Sequence, residues 1–247
     1  MKIIADIHTH TMASGHAYST LKENIEQASI EGLDYLGVSD HTPGMPNTTT
    51  EGYFHNLKII RREIGGVRIL KGAEANIVDA RGNIDLPYET RERLDYVIAS
   101  LHDMVIGNLG IAANTQAAIG AMMNPHVRVI GHPDDDYFPL EYKALAAAAR
   151  VTGVALELNN SSLSPNSSRS GGARNARRML EECARVGARV IVGSDSHIWC
   201  NVGDFEYALA ILEECGFPEE LVVNADRARF EEFISLAARP AKITVAV

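Results

Sequence analysis

The chain is poor in several things, and each shortage removes a class of function. Among 247 residues there are three cysteines, Cys183, Cys200 and Cys215. Their odd number and the absence of a CxxC spacing speak against a disulfide framework or a thiolate zinc site. Cys183 and Cys215 fall on the apolar faces of helical patterns and read as small core residues. No apolar run approaches the roughly 18 residues that a membrane span requires. The first residues pass straight into a strand-like KIIAD without a signal-peptide apolar region, so a cytoplasmic protein is expected. Basic residues are outnumbered, 23 Lys and Arg against 32 Asp and Glu, for a net charge of −9. Polyphosphate binding draws on clustered cations, so nucleic acid is not the expected partner and the ligand should be small. Internal repeats and low-complexity segments are lacking too. The composition, 46% hydrophobic and 22% charged, is that of an ordinary globular chain, read as one domain over 1–247.

What is present is an alternation of short Val-, Ile- and Leu-rich runs with helical patterns, the signature of β-α units around a parallel sheet. Seven strands are expected, at 3–6, 35–39, 67–74, 96–100, 129–131, 154–158 and 190–193. Thr20 and Glu23 suit a capping box ahead of a Leu21, Ile25, Ala28 stripe that Gly32 ends. Ala176, Met179, Leu180 and Cys183 repeat the helical period before Gly187, and Ala208, Leu212 and Cys215 do so before Gly216. Between residues 76 and 84, NIVDARGNI reads as a hairpin or loop turning near Arg81 and Gly82. Seven such units suggest an α/β barrel.

The polar residues that follow these runs form a pattern of their own. His8 and His10, with His16 soon after, follow the first; Asp40 and His41 the second; Glu74 ends the third. His102 follows the fourth, His132 the fifth, Asn159 and Asn160 the sixth, Asp195 and His197 the seventh. In a parallel barrel the C-terminal strand ends share one rim, where active sites are built. In the HxH pair the two rings point the same way, because a strand alternates faces. His8, His10, His16, His41, Glu74, His102, His132, Asp195 and His197 are therefore candidate metal ligands. Imidazole and carboxylate without thiolate suit zinc, or manganese and iron. Catalytic zinc takes about three protein ligands and keeps a position for water, so nine ligands would serve two or three ions. Glu74 or Asp195 could bridge two of them. His55 and His126, away from these ends, read as ordinary hydrogen-bonding histidines. Asp6 and Asp40 either orient an imidazole or simply end a strand.

DIHTHT with His16, SDH at 39–41, KGAEANI, SLHD, GHP and GSDSH follow one another as the motifs of the PHP (polymerase and histidinol phosphatase) family do. The chain resembles that family over nearly its whole length, and in HAYSTL, EANI and ALELNNSS it resembles the YcdX-like bacterial phosphatases within it. The resemblance implies a distorted seven-stranded (β/α)7, TIM-like barrel with a trinuclear centre, commonly of zinc. His8, His10, Glu74 and Asp195 would then gather at one ion, His16, His41 and His197 at a second, and Glu74, His102 and His132 at a third. The acidic HPDDDYFPLE after His132 and the 161–173 loop depart from the pattern.

The expected chemistry is metal-dependent hydrolysis of a small phosphate monoester. Water bridging two divalent ions would be deprotonated near neutral pH and could attack phosphorus in line. The ions would also let an acidic protein attract an anion. Arg169, then Arg174, in SSRSGGARNARR, together with Asn160, are candidates for the phosphate. Asp195, His197 and His132 are candidates for passing a proton to the leaving oxygen. Competing readings are a phosphodiesterase or exonuclease of the same family, an amidohydrolase-type C–N or ester hydrolase, and, last, a non-catalytic metal-binding module. No strand-end lysine of the amidohydrolase kind stands among the motifs.

Overall fold

The protein is described by a computed structural model of residues 1–235. In chain order it runs β1 Ala5–Asp6, α1 Leu21–Ile30, β2 Tyr35–Val38, α2 Glu51–Asn56, β3 Glu63–Ile64, β4 Val67–Lys71, β5 Glu74–Asn76 and α3 Tyr88–Arg91. There follow β6 Val97–Ser100, α4 Ile111–Met122, β7 Val127–Ile130, α5 Tyr142–Thr152, β8 Ala155–Asn159, α6 Asn160–Leu163, α7 Gly172–Val186, β9 Val190–Gly193, α8 Glu206–Glu214 and α9 Arg227–Ile234, with short 3-10 turns between some of them. Local chemistry accounts for the helix ends. Thr20 Oγ1 accepts from the Glu23 amide while Glu23 Oε2 accepts from the Thr20 amide, closing the capping box that opens α1. No helix among the described residues is long and apolar enough to cross a membrane.

The fold is α/β with parallel pairing throughout, apart from the antiparallel edge strand β3. A closed seven-stranded barrel, expected from the sequence, is not what the hydrogen bonds draw. They give two sheets, ordered β1-β2-β4-β3 and β5-β6-β7-β8-β9. The run at 67–74, read as one strand, breaks after Lys71 and resumes at Glu74, so its two halves belong to different sheets. Between the sheets, pairing shrinks to the isolated bridges His41–Glu74 and Thr9–Ser196. Side chains stitch the second seam. Asn224 spans β1 and β9, donating to the carbonyls of Ala5 and Val192 and accepting from the Val192 amide. The Asp6 carboxylate accepts from the amides of His8, Ser194 and Gly203. Asp6 therefore serves the backbone at a strand end and holds no imidazole.

Two apolar layers result. Ala5, Ile7, Tyr35, Leu70, Tyr96, Ile98, Val129, Ala155 and Ile191 fill the space between the sheets, closed at one end by Val223, Phe230 and Phe233. A larger layer packs the outer strand faces against the helices and takes in Cys183. Cys215 is not part of it. Helix α8 ends at Glu214, so Cys215 sits at the cap and is exposed.

The NIVDARGNI stretch is a hairpin-like loop. Ile77 and Ile84 form an antiparallel bridge, and Asp79 collects the amides of Arg81 and Asn83. Its tip lies on α4, where a Cβ on Gly120 would stand 2.0 Å from the Arg81 carbonyl oxygen. Backbone cannot yield there as a flexible side chain would. Gly120→Ala is expected to destabilise the protein by about 2 kcal/mol, read as a lowered urea midpoint; an unchanged midpoint would mean that the tip is free to lift.

Candidate metal centre

Glu74 begins β5 and is completely buried, and five imidazoles surround its carboxylate. Oε1 lies 3.4 Å from His8 Nε2, 3.2 Å from His102 Nε2 and 2.9 Å from His132 Nε2. Oε2 lies 3.5 Å from His10 Nε2 and 2.8 Å from His41 Nδ1. Asp195 Oδ1 closes the other side, 3.5 Å from His8 Nε2, 3.3 Å from His10 Nε2 and 3.6 Å from His197 Nδ1. At the open edge, His16 Nε2 and His197 Nε2 face each other at 3.0 Å. All nine residues singled out at strand ends meet here.

Several of the imidazoles are fixed from behind. Glu157, in the middle of β8, sits 2.7 Å from His8 Nδ1 and accepts from the His132 amide at 2.7 Å. Ser14 stands 3.0 Å from His10 Nδ1 and donates to Asp40 Oδ1. Asp40 also takes the Thr11 amide and hydroxyl and the Tyr53 hydroxyl, so it steadies His10 through Ser14. Asn76 Oδ1 holds His102 Nδ1 at 2.7 Å. His132 and Asp195 have φ of 26° and 53°, left-handed conformations that cost about 1–3 kcal/mol each and persist where surrounding structure enforces them.

The electrostatics ask for cations. Burial alone would neutralise Glu74, but His41, His102 and His8 hold its pKa well below the ordinary value. Burial opposes Asp195 ionisation too, and His8 and Arg169 overcome it. Glu157 is likewise held ionised against burial, mainly by His8. For His8, burial favours the neutral ring but Glu157, Asp195 and Glu74 raise its pKa well above normal. His10 and His16 go the other way: burial, then the neighbouring His197 and His41, lower them, leaving their rings neutral with lone pairs available. His8 Nε2, His10 Nε2, His41 Nδ1, His102 Nε2 and Glu74 Oε2 are buried and make no hydrogen bond. Such orphaned atoms are costly in a dry interior. Divalent ions would satisfy them. The groups His8/His10/Glu74, His10/His41/His197 and His41/Glu74/His102 each converge tightly enough to hold one.

Residues 6–161 match the PHP domain model. The chain belongs to the PHP family. A probable phosphatase of Acetivibrio thermocellus is 42% identical over 234 residues, 95% of this chain and 96% of that protein. Among solved structures, the histidinol phosphate phosphatase of Lactococcus lactis, complexed with zinc, L-histidinol and phosphate, aligns with a TM-score of 0.57 at 17% identity, covering 88% of this chain and 95% of that one. The putative histidinol phosphatase of Listeria monocytogenes gives 0.60 at 16%, covering 82% and 98%. At these identities the two structures speak to the fold.

Beside the centre of this PHP domain lies a cleft of about 370 Å³, lined among others by His102, His132, Asp103, Tyr137 and Arg169. Arg169 reaches inward, donating to Asp195 Oδ2 at 2.8 Å and to Ser162 Oγ at 3.4 Å. Arg174 pairs with Asp136 at the surface. Asn160 is buried, its Oδ1 accepting from the Ala208 amide at the start of α8. His55 bonds Thr90 Oγ1, away from the site.

Glu157, Ser14, Asn76 and Asn224 do structural work that strand-end reasoning overlooked. Glu157 left one signal, a carboxylate in the otherwise apolar run VALEL. Glu157→Gln keeps the volume and removes the charge behind His8, and is expected to weaken metal retention about 10–100-fold. Zinc per chain after dialysis against graded chelator measures this; wild-type retention would remove Glu157 from the site.

Proposed function

We propose that this chain is a metal-dependent phosphatase acting on small phosphate monoesters, with up to three divalent ions, most simply zinc with manganese or iron as substitutes. The carrying observation is the convergence of nine imidazole and carboxylate groups, five of their atoms buried without a hydrogen bond, beside a cleft whose wall bears Arg169. His8, His10, Glu74 and Asp195 would hold one ion, His16, His41 and His197 another, and Glu74, His102 and His132 a third. Bound there, the ions would neutralise phosphoryl charge and make water nucleophilic near neutral pH.

The chain's own residues supply the rest. Arg169 presents a fixed guanidinium to a phosphoryl group in the cleft. Of the other two phosphate candidates, Arg174 is tied to Asp136 and Asn160 to α8, so Arg169 carries this role alone. Of the candidates for passing a proton to the leaving oxygen, His132 lines the cleft itself, while Asp195 reaches it through its 2.8 Å hydrogen bond with Arg169. The relative named a probable phosphatase supports this reaction class.

The test is hydrolysis of an aryl phosphate monoester against the matching diester, by protein of known metal content. Monoester turnover lost on chelation and restored by zinc or manganese supports the reading. Preference for the diester would move the assignment to the phosphodiesterase branch, and inactivity of fully loaded protein on both would overturn it.

A further inference from the structure

The acidic segment after His132 packs along the segment that carries Arg169. The Asp136 amide donates to the Ser170 carbonyl at 2.9 Å, and Asp135 Oδ1 accepts from the Ser170 amide at 3.4 Å. Asn175, at the start of α7, donates to the Asp134 carbonyl at 2.8 Å and to Asp136 Oδ1 at 2.9 Å, and Arg174 pairs with the same carboxylate. At Gly171, whose φ is +77°, a Cβ would stand 2.4 Å from the Asp136 carboxyl carbon, so the two segments meet closely there. Asp134 is the inward member. It is fully buried, neither carboxyl oxygen has a hydrogen-bond partner, and the opposite charge it faces is the Arg169 guanidinium.

From this packing we infer that residues 134–136 form a clasp that positions Arg169 at the mouth of the cleft, with Asp134 as the inner positioning residue and Asp136 as the outer tie. The inference rests on the reading of Arg169 as the phosphate contact. Arg169 is drawn by the carboxylates of Asp195 and Asp134, and less by that of Glu74. Ions held in part by Asp195 would take up its charge and weaken its pull on the guanidinium. Asp134 belongs to no ligand group, so ions would not compete with the guanidinium for it. Asp135 and Asp136 fix the backbone on either side of Ser170, which sets how far the Arg169 side chain can reach.

The experiment uses zinc-loaded full-length protein, with inorganic phosphate as competitive inhibitor and zinc per chain as the control. Arg169→Met is expected to weaken phosphate inhibition. Asp134→Asn should raise the inhibition constant about tenfold, and Asp136→Asn, at the half-exposed outer tie, should raise it in the same direction by less. The double variant Asp134→Asn with Arg169→Met should be no worse than Arg169→Met alone, because Asp134 acts through that side chain. Zinc content should match wild type throughout. If Arg169→Met weakens phosphate but both aspartate variants bind it as wild type does, the clasp is wrong and the phosphate contact stands. If Arg169→Met itself leaves inhibition unchanged, the underlying reading of Arg169 falls. Loss of zinc in Asp134→Asn would mean that the segment acts on the neighbouring His132, which also overturns the proposal. Should Asp134→Asn not fold, Asp136→Asn decides between the same outcomes.

Discussion

Glu74→Gln is expected to lose most of the bound metal and at least about 10³-fold in monoester turnover, since breaking one side of a buried charged cluster costs ~4 kcal/mol. The substitution keeps shape and volume, so the packing of β5 should survive. What disappears is the charge on which His8, His10, His41, His102 and His132 converge within 3.5 Å. The new amide would also turn N–H donors toward imidazole nitrogens that an ion should occupy. Metal analysis and kcat/KM on the same preparation provide the check. Wild-type stoichiometry with wild-type turnover would show that Glu74 is not the hub.

Arg169→Met is expected to lower kcat/KM by about 10²-fold, the cost of removing one oriented donor to developing negative charge, while metal content holds. Methionine replaces the length and apolar stem of arginine but offers no hydrogen bond. The distinguishing result is the combination: a kinetic defect at full metal occupancy. A fall in metal content would instead assign Arg169 to supporting Asp195, with which it shares a 2.8 Å hydrogen bond.

The centre was legible in the sequence because period and topology cooperate. Strand runs located the rim, and the ligand types sit at or soon after strand ends, so His8 and His197, far apart in the chain, could be grouped without contact information. The supporting residues were not legible for the opposite reason. Glu157 lies inside its strand, Asn224 in a turn, and Ser14 gains meaning only through Asp40, so their roles come from tertiary distances that no local pattern encodes. Arg174 and Asn160 show the same limit. Both are polar and near the rim, yet their side chains are engaged by Asp136 and by the Ala208 amide. The barrel expectation met a different obstacle. Hydrophobic periodicity marks strands but not which neighbours they bond, and the break after Lys71 divides a run that looks continuous in one dimension.

That break has a mechanical side. The bridge His41–Glu74 is made by two of the candidate ligands themselves, and the bridge Thr9–Ser196 is flanked by four more, His8, His10, Asp195 and His197. Ions seated among them would rivet one sheet to the other at the points where the backbone ladder gives out. Cohesion of the shell and reactivity of the site would then draw on the same atoms, and heat resistance should climb with free metal concentration as any ligand-linked equilibrium does. Without ions there, the protein would come apart first along its seams, with the sheets themselves still whole.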